Sequence, residues 1–288
     1  MNREPTLALC AIMKNEADYV EEWLAFHLLQ GASQFVLYDN RSTDDTRVRA
    51  RRFATRANLA IVPWPDSGGG FDLTQRLAYA DGARRLAGRV DFAAFIDLDE
   101  FLYADDGGSL QRALGSFPPD VAAIAVNQRV FGSSGHVKAG PGFVTSRFTV
   151  TAAPGYPEAH WFKTIAKPDR ILGFDSVHSV VLRAGAYVLT DGRVLPPRPE
   201  HPGCSPVIAR GAISLNHYML KSREEFERKK RRWTGQDLAD RLGDDYFAGR
   251  DAAINDNAVR DARLRDLAPR VAALIDAVRR DASGAGTA

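Results

Sequence analysis

Apolar and polar positions repeat with two periods in the first hundred residues. The uncharged run Leu7–Met13, followed at once by Lys14, Asn15 and Glu16, predicts a buried strand. Residues 18–30 place Val20, Trp23, Leu24, His27 and Leu28 at helical spacing, and Gly31 stands where a helix C-cap falls. The pattern continues as a strand over 35–38, a helix over 43–53, a strand over 60–63, a helix over 73–86 and a strand over 92–96. Strands alternating with helices predict an α/β chain built on a parallel sheet with helices on its faces.

After Leu102 the alternation is lost. A helix over 109–114, a strand over 122–126 and a glycine-rich loop over 131–142 precede short strands at 143–151, 164–167, 177–182 and 187–189. Residues 196–206, rich in proline, read as an irregular loop before a strand at 212–216 and a charged helix over 222–233. Residues 257–280 have helical spacing, with Pro269 at the start of the final helix, and 282–288 read as a disordered tail. No internal repeat is present. The expected division is 1–220 as one domain, with halves 1–103 and 104–220, then a helical segment over 221–281.

Composition narrows the partners more than the fold. A formal net charge of +2 on 288 residues gives no field that calls for nucleic acid. Cys10 and Cys204 sit in unrelated contexts, so a reduced, intracellular setting is expected, with a single disulfide left open. No apolar run reaches membrane length. The basic stretch 221–232 also holds Glu224, Glu225 and Glu227; it reads first as a solvated helix face and second as a peripheral membrane contact.

The chemistry concentrates in Asp97-Leu98-Asp99-Glu100, directly after the strand at 92–96. Side chains at the C-terminal ends of parallel strands open into the ligand crevice of an α/β sheet. Three carboxylates this close need an offsetting cation, and a divalent metal bridging a diphosphate is the simplest one. The loops Lys14-Asn15-Glu16 and Asp39-Asn40-Arg41-Ser42-Thr43-Asp44 follow the first two strands and converge on the same crevice, so Glu16, Asp39 and Asp97 face one ligand. Residues 40–44 equally read as a turn and helix cap. His27, on an apolar helix face, reads as a core histidine.

These motifs in this order resemble nucleotide-sugar glycosyltransferases of the GT-A fold, and most nearly the family 92 and family 2-like group. Lys14-Asn15-Glu16, Glu22-Trp23, His27, Tyr38 to Asp44 and Ile96 to Phe101 carry the resemblance. It extends through Asn127 to His136, Lys163, His178, Asn216-His217-Tyr218, Lys221-Ser222 and Glu225-Phe226. It implies a sugar-binding α/β fold in which Asp97 and Asp99 bind Mn2+ or Mg2+ and, through it, the diphosphate of a sugar donor, UDP first. His217 is implied as third ligand or phosphate contact, and Glu100 as a supporting or acceptor-facing acid. Lys14, Asn15, Glu16, Asp39, Asn40 and Arg76 are implied on the nucleotide. His136, His160, Lys163 and His178 fall in the acceptor half, where Trp161 and Phe131 are candidates to stack on a sugar.

The implied reaction is inverting, with Glu158, Asp175 and Asp191 as alternative general bases and a carbohydrate as acceptor. A cytoplasmic enzyme of bacterial envelope or polysaccharide synthesis, placed peripherally at the inner membrane face, is the implied setting. Two rival classes stand beside it. An aspartyl-phosphate phosphohydrolase shares the Asp-x-Asp pair, but Phe101 stands where those enzymes usually carry Thr or Val. A non-catalytic sugar-binding module shares the fold.

Overall fold

The structure, a computed structural model, describes residues 3–232 and 244–284. Strands β1 (Leu7–Met13), β2 (Gln34–Asp39), β3 (Asn58–Pro63) and β4 (Phe92–Phe95) form a parallel set in the order β3-β2-β1-β4. Helices α1 (Val20–Leu29), α2 (Thr46–Arg51) and α3 (Phe71–Leu86) make the crossovers between them. Beyond β4 the same sheet turns mixed: β8 (Phe162–Ala166) runs antiparallel to β4 and to β6 (Val121–Val130). Next to β6 lie β12 (Ile213–His217), parallel to it, and β5 (Glu100–Ala104), antiparallel to β12; β11 (Ala186–Leu189) also pairs with β6.

Strand β1 is buried along its whole length because helices cover both faces of the sheet. Its side chains divide by parity. Leu7, Leu9, Ala11 and Met13 join Trp23, Phe26, Phe35 and Leu37 in the main core, while Ala8, Cys10 and Ile12 join Tyr38, Ala78 and Tyr79 under α3. The helix lies close enough that a Cβ on Gly82 would stand 2.5 Å from Cys10 Sγ. Both cysteines are buried free thiols.

The C-terminal segment is part of the same body. Helix α8 (Ala268–Gly284) buries Val271, Ile275 and Val278, a helical stripe, in the main core, and its Arg279 pairs with Glu21 of α1. Pro269 is its second residue, as the sequence predicts. The expected tail at 282–288 is helical through Gly284, and the rest of it lies outside the described residues. The helix expected at 222–233 is α6 (Arg223–Arg232); α7 spans Asp244–Asn255.

Two segments differ from the sequence expectation. The strand expected at 143–151 is a short helix, α5 (Val144–Arg147), followed by the two-residue strand β7 (Val150–Thr151). Glu22 of α1 causes this: its carboxylate accepts from the backbone N–H of Val144 (2.7 Å) and Thr145 (3.0 Å) and caps a helix 122 residues away. The helical pattern expected from residue 257 is interrupted by β13 (Val259–Arg260), which pairs with β7.

Candidate active site

Strand β4 ends at Phe95, and the chain turns through Asp97-Leu98-Asp99 straight into β5. Two residues of α1 hold that turn. Trp23 Nε1 donates to the carbonyls of Asp97 (3.1 Å) and Glu100 (2.9 Å), and His27 Nε2 accepts from Leu102 N–H (3.1 Å). His27 is fully buried and held neutral, its pKa lowered to about 3 by burial. It is the core histidine that the sequence predicts.

The three acids of the turn have different surroundings. Asp97 accepts from Gln75 Nε2 (2.5 Å) and Tyr79 Oη (3.2 Å) on one oxygen and from Lys163 Nζ (2.9 Å) on the other. Burial works against its charge, yet Lys163 overrides this and holds the carboxyl below its ordinary range. Glu100 is fully buried, accepts from Asp97 N–H (2.8 Å) and Gln128 Nε2 (3.2 Å), and lies 3.6 Å from Lys163. Desolvation, with Asp97 and Asp99 nearby, drives its pKa well above the usual value despite Lys163. Glu100 and Lys163 are therefore enclosed behind the turn, their side chains 0% and 1% exposed.

Asp99 is met by Lys229 Nζ at 2.6 Å, by Lys221 Nζ at 4.0 Å and by His217 Nε2 at 3.6 Å. Burial opposes its charge; Lys229, then His217 and Lys221, pull its pKa far down. Glu16, at the end of β1, pairs with Arg232 at 2.7 Å. Four acids, Glu16, Asp97, Asp99 and Glu100, thus face the four cations Lys163, Lys221, Lys229 and Arg232. These side chains offset much of the cluster's charge.

Helix α6 supplies two of these cations. Ser222 and Glu225 form a reciprocal capping box, each accepting from the other's backbone N–H at 3.2 Å. That fixes the register, so positions 225, 229 and 232 share the face turned toward the sheet. The basic run expected on solvent or a membrane therefore directs Lys229 and Arg232 into the site instead. Among the described residues, no helix is long and apolar enough to cross a membrane.

The loops after β1 and β2 are cross-linked. Asn15 Oδ1 accepts from Thr43 N–H (2.8 Å), and Ser42 Oγ accepts from Asn15 N–H (3.0 Å). Lys14 leads into this junction, and Asp39 closes β2 with Arg47 at 3.7 Å. Asn40 is fully buried; its Nδ2 donates to Trp64 O and Asp66 Oδ1, both at 2.9 Å, while its Oδ1 has no hydrogen-bond partner among the described residues. Asn15, Arg41 and Lys221 all adopt left-handed backbone (φ 53°, 57° and 55°), strain of a kind that collects at ligand sites.

A cleft of about 580 Å³ opens beside His217. Arg76, Glu158, Trp161, Asp175 and His178 line it, with Tyr246 and Arg250 of α7. Glu158 is ion-paired with Arg250, whereas Asp175 is exposed in the cleft wall. Trp161 and His178 pack with ring centroids 5.0 Å apart, and His178 Nδ1 lies 2.9 Å from Phe162 O. His160 lines a separate cavity, and three further sequence candidates also sit elsewhere. Asp191 is at the surface, turned onto Arg193 (2.6 Å); His136 packs on Phe148 with Nε2 3.2 Å from Arg147 O; Phe131 is buried against Tyr218.

Among the described residues, no three His, Cys, Asp or Glu side chains form a ligand set for a metal. Asp99 and His217 still fit one as a pair. Gln128 Nε2 donates to Glu100, so its Oε1, 2.9 Å from His217 Nδ1, takes the ring proton and leaves Nε2 as an acceptor facing Asp99. Two acceptors 3.6 Å apart suit a hard cation whose remaining ligands are phosphate oxygens and water. Asp97, with both oxygens engaged by Gln75, Tyr79 and Lys163, is placed to support that pair.

A half-parallel, half-mixed sheet with an acidic turn at the end of its central strand, ringed by cations and opening on a second cleft, defines a GT-A-type glycosyltransferase architecture. The chain belongs to glycosyltransferase family 92, whose sequence profile matches residues 6–186. It is 26% identical over 253 residues to a family 92 protein of Oryza sativa subsp. japonica, and 27% identical over 256 residues to one of Ricinus communis. Each match covers 86% of this chain, which spans only 39% and 41% of those relatives' length. Among solved structures, it is similar to glucosyl-3-phosphoglycerate synthase from Mycobacterium tuberculosis, in complex with Mn2+, UDP-glucose and phosphoglyceric acid. That match has 18% identity and a TM-score of 0.35 over 68% of this chain and 73% of the other. Family membership sets the phosphohydrolase reading aside, and the plant relatives lend the bacterial envelope setting no support.

Proposed function

We propose that the chain transfers a sugar, with inversion, from a nucleoside diphosphate donor, UDP first, to a carbohydrate acceptor, assisted by Mn2+ or Mg2+. The observation that carries this is the acidic turn at the β4 edge, where Asp99 and His217 stand beside Lys221, Lys229 and Arg232. A diphosphate binding there exchanges these cations' carboxylate partners for phosphate oxygens, so its charge is met without new cations being brought in. When bound, the divalent ion held by Asp99 and His217 supplies Lewis-acid stabilisation of the departing diphosphate. The buried, unpaired Oδ1 of Asn40 is an acceptor that an N–H of a nucleobase would satisfy.

Asp175 is the general base in this reading, since Glu158 is paired with Arg250 and Asp191 lies at the surface. It takes the proton of an acceptor hydroxyl. The hydroxyl oxygen forms a bond to the anomeric carbon as that carbon's bond to the phosphate oxygen breaks, and the configuration inverts. Trp161 offers the sugar a flat apolar face.

The test is a calorimetric titration of UDP, GDP and TDP, with and without Mn2+, into the wild-type protein, Asp99→Asn and Lys229→Ala. Metal-dependent binding that Asp99→Asn removes and Lys229→Ala weakens by about ten-fold or more is expected, from the loss of a charge-assisted bond. Equal binding by all three proteins would exclude this site for the donor.

A further inference from the structure

Along β6 the side chains alternate, and neighbours serve opposite faces of the sheet. Gln128 turns to His217 and Glu100, whereas Arg129 lines a second cavity of about 680 Å³. The short helical turn at Pro157–His160 separates the two spaces: Glu158 lines the cleft, while Ala159 and His160 line the second cavity. Part of its wall comes from residues 208–210 and 259–263, outside the family-matched region.

Charge in this cavity is one-sided. Arg129, Arg210, Arg260 and Arg263 line it against the single carboxylate Asp261. Arg263 is satisfied, by Asp261 at 2.6 Å and by Asp105 at 3.0 Å. Arg129 reaches the same Asp105 only at 3.8 Å, and its Nε is enclosed with no hydrogen-bond partner among the described residues. Arg210 donates through both Nη atoms to backbone carbonyls, those of Asn127 (3.0 Å) and Gln128 (3.1 Å), and among the described residues to no carboxylate. Desolvation, followed by the neighbouring Arg129 charge, lowers the Arg210 pKa to about 10, although Asp105 works in the other direction. The remaining wall, including Val130, Pro154, Tyr156 and Ile208, is largely apolar. The volume lies within the range of small-molecule sites.

We propose that this cavity is a second binding site, distinct from the cleft, for a small molecule bearing an oxyanion, with Arg129 and Arg210 gripping the phosphate, sulfate or carboxylate and the apolar wall covering the body. Guanidinium forks match such groups in shape as well as charge. The occupant touches the strand that carries Gln128, so it also bears on the His217 side of the sheet.

The experiment is a calorimetric titration of inorganic phosphate, sulfate, glucose 6-phosphate and glucuronate, with UDP and Mn2+ present in excess to fill the cleft. Arg129→Gln and Arg210→Gln are compared with wild type, with Arg129→Lys and Arg210→Lys as charge-keeping variants. The proposal expects saturable binding that each Gln variant weakens by about ten-fold or more, with the Lys variants in between; Arg129→Gln keeps its melting temperature, so its loss of binding is read free of any stability loss from the carbonyls that Arg210→Gln leaves unpaired. Tighter binding of glucose 6-phosphate than of phosphate identifies a phosphorylated molecule, and tighter binding of glucuronate a carboxylated one. Equal affinity for all four probes, no saturable binding, or Gln variants that bind like wild type would overturn it. Wild-type protein that ignores UDP would count against the donor reading and leave the arginine comparison valid.

Discussion

Glu225 is the pin on which α6 and its cations depend. Its carboxylate takes a two-point grip from Arg147 (2.6 and 2.9 Å), accepts from Tyr19 Oη (3.0 Å), and closes the capping box with Ser222. The side chain is 2% exposed and that of Arg147 11%. Burial alone would raise its pKa; Arg147 and Ser222 override it and bring the value down from 4.5 to about 2. A depressed carboxyl pKa stabilises the fold above the unfolded value and loses that contribution as pH falls through the folded one. The shift corresponds to about 3 kcal/mol, present at pH 7 and lost between about pH 4.5 and pH 2, with roughly two-thirds gone by pH 3. Glu225→Gln should cost about that much at pH 7, because it leaves the Arg147 charge enclosed and unpaired. Urea denaturation of both proteins from pH 7 to pH 3 measures the gap, and subtracting the two curves cancels every other carboxylate. The gap should shrink from about 3 to about 1 kcal/mol; a gap that stays constant, or is absent at pH 7, would mean that the Glu225 carboxylate does not hold this part of the stability.

Two other substitutions probe the scaffold. Trp23→Phe keeps an aromatic core residue but strands the carbonyls of Asp97 and Glu100, so stability should fall by about 1–3 kcal/mol and donor affinity with it; unchanged donor affinity would mean that α1 does not hold the turn. Gly82→Ala sets a methyl group 2.5 Å from Cys10 Sγ and should cost about 1–3 kcal/mol in urea denaturation. Cys10→Ala should recover part of that loss, and a double variant no better than Gly82→Ala alone would disprove the close approach.

The parallel half of the fold was legible because β1 to β4 are short apolar runs between helical stretches, and each period reports local burial. The acidic turn was legible for the same reason, as charge at the end of such a run. What was not legible depends on distant partners. Residues 143–151 carry strand-like content, yet Glu22, far away in sequence, caps them into a helix. Strand β5 was missed because it follows the acids at once and finds its partner in β12, more than a hundred residues on. Gln75 and Tyr79 bear no mark that would have linked them to Asp97. Lys229 and Arg232 did carry one. The Ser222-x-x-Glu225 box sets the helix register, and 225, 229 and 232 then fall on one face. Reading that run by net charge instead of by face sent it to solvent.

If the proposed function holds, this acidic turn and its cations bind a sugar nucleotide and break its sugar–phosphate bond. Release of nucleoside diphosphate from a panel of UDP- and TDP-sugars, in Mn2+ and with mixed glycans as acceptors, tests it most directly in wild type, Asp99→Asn and Asp175→Asn. Wild type should release it from at least one donor, Asp99→Asn should abolish release, and Asp175→Asn should slow it strongly with donor binding retained. Donor binding with no release from any pair, or release by Asp99→Asn equal to wild type, would contradict the proposed function.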